Sequence, residues 1–415
     1  MLSRRMAWLV ALVATFTMTV SYVDRAALSV LAVEVTKDLG MSNQEYGWVV
    51  AAFSLAYLFG TPIAGWWIDL AGARRGLLVS VLAWSAVAAL HALVPGFLVL
   101  LALRIALGLA EGPGFPGAAQ TIQRVLPAGD RERGFGLLFT GSSIGTMIVP
   151  PFATWIFRHA GWRVALLVTT AAGLIWLPLW FAVTRSRAVR AKLDAGTAAA
   201  PTDASEPRPR FLDLVRHPLL LRALAAIFTA APIFNFPIAW GSKYLNATFK
   251  TAQADVGGYL WLPPLMFDAA ALLFGHLAAR QRRAEGVPPR GLVAAGIALC
   301  AMLALVPLTE TPWQATVGMG FCMAGSAAVY TLVTADLLAR MPVGSASFAA
   351  GILAGAQSVA LFLINPLIGY VADRVGGYSV QAIFCGLWTI PGGVVWLVWR
   401  PALRYVPPAR VHKAD

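Results

Sequence analysis

Apolar residues run almost unbroken through about 6–33, 46–69, 76–94, 97–122, 134–157 and 163–184. They do so again through about 219–245, 255–279, 290–308, 313–339, 347–372 and 379–400, with polar residues gathered in the gaps between. A helix of roughly 20 such residues, rising about 1.5 Å each, spans the ~30 Å hydrocarbon core of a bilayer. The pattern therefore predicts an all-α membrane protein with twelve transmembrane helices. Weak alternation argues against an outer-membrane barrel, whose strands repeat with a period of two. The twelve segments fall into two sets, which predicts an N-terminal six-helix bundle over 1–184 and a C-terminal six-helix bundle with a short cytoplasmic tail over 219–415. Between them, 185–218 carries Arg185, Arg187, Arg190, Lys192, an Ala/Thr run and Pro201 to Pro209, the composition of a flexible cytoplasmic linker.

The halves also repeat weakly. At an offset of 215 residues, Pro127, Gly129, Gly136, Pro151 and Gly161 correspond to Pro342, Gly344, Gly351, Pro366 and Gly376. A parallel repeat of six helices predicts two bundles facing each other around a site near mid-membrane.

Charges inside the apolar segments are the next departure. The first segment carries Tyr22-Val-Asp24-Arg25, and the fourth carries Arg104 and Glu111, seven residues apart and so on one helical face. Each charge within a span costs roughly 2.5–3.5 kcal/mol on insertion scales, a cost usually tolerated for function. The alternative is a structural ion pair or an arginine reaching to the interface. Segments one and four run antiparallel, so the two acids and two arginines are expected to converge just outside the midplane. A guanidinium matches a carboxylate, and a carboxyl group in low dielectric holds its proton more tightly. The cluster thus suits an organic anion moving together with H⁺.

Composition sharpens the class. The chain is 59% hydrophobic and 12% charged, against about 25% charged in soluble domains. The net charge of +13 raises nucleic acid as a partner, but most Lys and Arg fall in the gaps on one side of the predicted membrane, including Arg4, Arg5, Arg74, Arg75, Arg124, Arg131, Arg133, Arg280, Arg282, Arg283, Arg290, Arg340 and the tail. This positive-inside distribution places both termini in the cytoplasm and gives no support to a nucleic-acid partner. The first segment is too long for a signal-peptide core. Cys300, Cys322 and Cys385 lie in apolar segments, and His91 and His276 lack neighbours at metal-ligand spacing, so neither disulfide, metal nor cofactor is expected. No Walker A pattern occurs.

The gap after the second segment reads Gly65-Trp-Trp-Ile-Asp69-Leu-Ala-Gly72-Ala-Arg74-Arg75. Its glycines permit a tight turn, and its charges can pair across cytoplasmic helix ends as a gate, or simply cap a basic loop. This loop resembles the signature of the major facilitator superfamily. Tyr22-Val-Asp24-Arg25-Ala-Ala-Leu-Ser29 and Arg104-Ile-Ala-Leu-Gly108-Leu-Ala-Glu111-Gly112-Pro113-Gly114-Phe115-Pro116 resemble its anion:cation symporter branch, which includes sugar-acid, phthalate and sialic-acid transporters. The resemblance implies two six-helix bundles that rock about a central site in the bacterial inner membrane. It implies that Arg25 meets a substrate carboxylate with Tyr22 and Tyr57 lining the cavity, that Asp24 and Glu111 carry protons, and that Arg104 contacts substrate or restrains an acid.

The second half departs from better-known members. Lys243 in the seventh segment either reaches to the outer interface or adds a positive group for a longer anion. Asp268 in the eighth has either a structural partner or a coupling role. Gln357 and Asn365, eight residues apart in the eleventh, suit hydroxyl recognition or interhelical hydrogen bonds, as do Ser142, Ser143 and Ser358. The Gly112–Pro116 stretch predicts a break or kink in the fourth segment. Asp336 and Arg340 make an i,i+4 pair. The function expected is proton symport of a small organic anion, by a protein that acts as a monomer and not as an enzyme. The rivals are an aromatic-acid or monocarboxylate symporter, an anion exchanger or exporter, and a drug:proton antiporter.

Overall fold

The computed structural model describes residues 2–194, 216–281, 290–341 and 346–401. Pro201 to Pro209, Arg282, Arg283, the basic tail, Pro342 and Gly344 lie outside the described residues, as does the side chain of Asp69. Among the described residues, 11 helices are long and apolar enough to cross a membrane. Four precede the longest: α1 (Arg4–Val30), α2 (Asn43–Ile68), α3 (Ala73–Leu93) and α4 (Phe97–Val125). The longest, Gly129–Thr184, has 56 residues and is broken at Gly161, whose φ of 80° and ψ of 172° suit glycine alone. It therefore makes two crossings, α5 before Gly161 and α6 after it. The others are α7 (Pro218–Phe249), α8 (Gly257–Arg280), α9 (Arg290–Leu308), α10 (Pro312–Arg340), α11 (Ala349–Val375) and α12 (Ser379–Val398). Twelve crossings bring the start of α1 and the end of α12 to one face, here the terminal face.

Local chemistry sets several boundaries. α2 starts at a capping box in which Ser42 and Glu45 satisfy each other's backbone N–H groups, and Thr311 and Gln314 do the same for α10. α4 is interrupted between Glu111 and Gly114, ahead of Phe115 and Pro116, as the Gly/Pro run predicts. α7 passes through a π-helical stretch, Phe236–Trp240, at Pro237, where the missing N–H loosens the regular ladder.

Two buried apolar clusters are built only from residues before 194, one containing Trp84, Trp176 and Trp180 and the other Trp162; a third is built almost wholly from residues after 218 and contains Trp240, Tyr244 and Trp396. Outward-facing Leu9, Leu12, Leu272 and Val398 remain exposed, as lipid-facing positions do.

The two halves touch unevenly. On the face opposite the termini, a Cβ placed on Gly47 would collide with the Asn365 carbonyl, and one on Gly369 with the Asn43 carbonyl, so α2 and α11 meet backbone to backbone. One on Gly257 would collide with the Pro150 carbonyl, which brings α8 equally close to α5. Nearer mid-helix the α2–α11 contact thins to Gly355 against the Leu58 side chain, 3.3 Å from such a Cβ. Towards the terminal face Gly65 on α2, Gly351 on α11 and Gly136 on α5 have nothing within 4 Å among the described residues. The described close backbone contacts between the bundles thus gather at the opposite face and give way to open space at these glycines towards the terminal face.

The beginning of 185–218 is not a loose tether. Ser186 caps a short helix, Arg187–Leu193, whose Val189 and Leu193 are fully buried. Two apolar side chains at i and i+4 give this stretch a face to bury, which its basic composition hides.

Candidate functional site

The charged cluster forms where α1, α2 and α4 meet. Three small residues make the approach possible. A Cβ on Gly108 would lie 2.7 Å from the Phe53 carbonyl, and one on Gly112 would lie 2.7 Å from the Gly60 backbone. α4 therefore seats directly on α2, a small-residue contact of the kind that joins membrane helices. Glu111 sits at the end of the first arm of α4 and is fully buried. Its Oε2 accepts from Arg25 Nε at 2.5 Å and from Ser21 Oγ at 2.7 Å.

The Arg25 guanidinium lies in an aromatic box, 4.8 Å from the ring centre of Tyr22, 4.9 Å from Phe53 and 4.4 Å from Tyr57. Each such contact is worth roughly 0.5–2 kcal/mol, more when dry. With Glu111, the rings compensate the arginine's loss of water while leaving its side chain 18% exposed. Of the box, Tyr22 and Tyr57 are legible in the sequence. Phe53 and Ser21 are not singled out there, although each stands one helical turn from a residue that is: Phe53 stacks on Tyr57 at 5.9 Å, and Ser21 precedes Arg25 by four.

The other two charges do not join this pair. Asp24 is buried, and its Oδ1 accepts from Thr170 Oγ1 of α6 at 3.0 Å. Arg104 is also buried, with its guanidinium carbon 5.9 Å from the Phe53 ring. Asp24 and Arg104 line a small enclosed pocket with His91, Thr169 and Thr170. The cluster is therefore two neighbouring sites, a partly exposed one around Arg25 and an enclosed one around Asp24. No sequence signal marks His91 or Thr170, because only the packing of α3 and α6 against α1 brings them in.

Across the gap, the C-terminal half contributes neutral groups. Asn365 is fully buried: its Oδ1 accepts from Asn235 Nδ2 and Trp240 Nε1, each at 2.8 Å, and its Nδ2 donates to the Leu361 carbonyl at 2.7 Å. It ties α11 to the π-helical stretch of α7, so here it braces the site and does not line it. Gln357 is half-buried on the same helix. Asp268 accepts from Ser143 Oγ at 2.6 Å, a bond from α5 to α8 across the two halves.

A family model for the Major Facilitator Superfamily matches residues 14–364. The chain belongs to this superfamily. It is a multi-pass membrane transporter and not an enzyme. The hexuronate transporter of Escherichia coli (strain K12) is 24% identical over 417 residues, covering 96% of this chain and 95% of that protein. The probable galactarate/D-glucarate transporter of Bacillus subtilis (strain 168) is 22% identical, covering 91% and 88%. The D-galactonate transporter of Escherichia coli O6:H1 is 23% identical, covering 87% and 88%. Among solved structures, a bacterial homologue of the human lysosomal transporter Spinster, inward-facing and unoccupied, superposes with a TM-score of 0.75 at 17% identity, covering 97% of this chain and 100% of that one. The D-xylose-proton symporter does so with 0.75 at 15%, covering 97% and 99%. These two show the shared fold.

In this superfamily member the loop between α2 and α3 is anchored to the short helix that follows α6. Gly72, at φ 77°, turns the chain and lies against Leu193 and Asp194, and Arg74 forks onto the Asp194 carboxylate, with Nε at 2.9 Å from both oxygens. Arg124 donates to the Leu193 carbonyl at 3.2 Å. Arg75 is exposed and Gly65 open. The expected pairing thus takes a partner from the linker, which the motif alone does not reveal.

At the opposite face Lys243 does not extend to the interface. It is 8% exposed, and its Nζ donates to Thr36 Oγ1 at 2.8 Å and Asn43 Oδ1 at 2.9 Å, 5.2 Å from the Tyr46 ring centre. Asn43 also receives Tyr378 Oη at 2.7 Å and donates to Asp373 at 2.8 Å. The network joins α7, α11 and α12 to the α1–α2 link and closes that face.

Proposed function

We propose that the protein is a secondary active transporter that takes up a sugar acid together with protons across the bacterial inner membrane. The observation that carries this reading is the Arg25–Glu111 pair inside the Tyr22–Phe53–Tyr57 box. Glu111 occupies Nε of the guanidinium where a substrate carboxylate would bind bidentately. A carboxylate entering the box competes with Glu111, and a buried glutamate losing its cation is strongly destabilised unless it takes a proton. Substrate and proton therefore arrive together. On return, proton release restores the Glu111–Arg25 pair and expels the anion.

Relatives that carry hexuronate, galactarate or galactonate in their names support a polyhydroxylated carboxylate. We assign the reading of its hydroxyls to Gln357, a half-buried amide on α11. The basic gaps orient the terminal face to the cytoplasm. In that orientation the splayed state opens inward, and rocking of the N-terminal bundle (1–184) against the C-terminal one (219–415) exchanges the open face. The protein works as a monomer, since each site is complete within one chain.

The test is thermal stabilisation of purified protein by a panel of sugar acids, aromatic acids and short monocarboxylates. A bound ligand stabilises by RT ln(1 + [L]/Kd). A shift confined to sugar acids, absent in Arg25→Ala, together with proteoliposome uptake driven by an imposed pH gradient, is the expected result. Equal shifts in both proteins remove Arg25 from the site.

A further inference from the structure

The pocket beside Asp24 is about 10 Å³ in volume, the space one water needs. His91 closes it from the end of α3. Its Nδ1 lies 2.8 Å from the Val87 carbonyl. A carbonyl only accepts, so Nδ1 carries the hydrogen and Nε2 is left as a bare acceptor. The two threonines are occupied: Thr169 donates to the Ala165 carbonyl at 2.9 Å and Thr170 to Asp24 Oδ1 at 3.0 Å. Three buried atoms on the residues around the pocket have no hydrogen-bond partner among the described residues: His91 Nε2, Asp24 Oδ2 and Arg104 Nε. Two are acceptors and one is a donor. A water molecule donates twice and accepts, so one molecule satisfies all three.

We propose that the pocket holds a single buried water that donates to His91 Nε2 and Asp24 Oδ2 and accepts from Arg104 Nε, making His91 a positioning residue for the Asp24 carboxyl. His91 itself stays neutral. A second positive charge beside Arg104 in an enclosed pocket would be repelled; the charged groups that act on Asp24 from the neighbouring helix are Arg104 and Glu111 of α4, and Glu111 is already held by Arg25. The polar groups that line the pocket from α6 are the Thr169 and Thr170 hydroxyls, beside Leu166, and from α3 the His91 ring, beside Ala88. The role of Asp24 in proton uptake rests on the function proposed above, whereas the water site does not.

The test compares His91→Leu, which removes the acceptor, with His91→Gln, whose amide oxygen replaces it. Three readouts are made: pH-gradient-driven uptake in proteoliposomes; counterflow, which exchanges labelled for unlabelled sugar acid without net proton movement; and infrared titration of the Asp24 carboxyl, recognised by its loss in Asp24→Asn. His91→Leu is expected to lower gradient-driven uptake about tenfold, the effect of one hydrogen bond in a buried site, and to move the Asp24 midpoint by about one pH unit, with counterflow retained. His91→Gln is expected to restore both. Wild-type behaviour of His91→Leu overturns the proposal, as does a glutamine variant that fails like leucine, because the ring would then carry the proton itself. Should the leucine variant not fold, His91→Met makes the same comparison. If wild-type uptake ignores the pH gradient while the Asp24 midpoint responds as expected, proton symport falls and the water site stands.

Discussion

The two bundles put their charges at different depths. In the N-terminal bundle Asp24, Arg25, Arg104 and Glu111 stand well inside the membrane, where α1 and α4 face each other. In the C-terminal bundle the described buried charges sit near the faces. Arg222, Asp336 and Arg340 meet at the terminal face, with Arg222 also donating to the Trp396 carbonyl at 2.9 Å. Lys243 locks the opposite one. Between them the C-terminal bundle offers amides and Asp268, whose carboxylate is already engaged by Ser143. In the function proposed above, one bundle does the electrostatic work of holding an anion and a proton, and the other supplies a more neutral wall and the fastenings of the two mouths. The asymmetry leaves the buried charges nearest the middle of the protein to one set of helices, where each must stay paired or neutralised.

That division of labour can be broken at graded cost. Arg25→Ala leaves Glu111 buried and unpaired, and is expected to weaken sugar-acid binding by at least about a hundredfold, the usual result of removing one partner of a buried pair; titration calorimetry reads it. Glu111→Gln keeps the shape but cannot exchange a proton. Gradient-driven uptake should fall about a hundredfold while counterflow persists, and loss of counterflow as well would move Glu111 from coupling to binding. Asn365→Leu strands the Asn235 and Trp240 donors, costing about 2–3 kcal/mol of stability by denaturation with little change in affinity. An affinity loss at unchanged stability would instead bring the C-terminal wall into the site. Lys243→Ala should loosen the closed mouth by about 1–2 kcal/mol, seen as a broadened distance between spin labels at Lys37 and Thr248. Gln357→Ala removes one neutral contact and is expected to cost affinity no more than about tenfold.

Much of the fold was legible because a bilayer imposes one requirement, a run of apolar residues of fixed length. The gap around 158–162 already separated α5 from α6, which only Gly161 divides in space. The charges within the first and fourth segments pointed to the α1–α4 meeting, and the structure pairs Arg25 with Glu111 there. What stayed hidden depends on rotation about helix axes. Asp24 and Arg25 are adjacent in the chain yet serve different pockets. Asn365 and Lys243 are polar enough to suggest ligand contact, but both are buried and held by protein partners. The pairing of Arg74 with Asp194 joins residues 120 apart, a contact that spacing within a motif cannot encode.

The backbone contacts at Gly47 and Gly369 have one more consequence. A seal built from side chains breathes, because rotamers hop and let threads of solvent through. Where main chain lies directly on main chain there is little left to hop, so the closed mouth acts as an insulator. Under the proton coupling proposed above, the membrane potential and the pH difference would fall across a thin layer of protein instead of leaking away through it. A transporter that idles for long periods without cargo keeps the cell's ion gradient intact only if that layer stays dry.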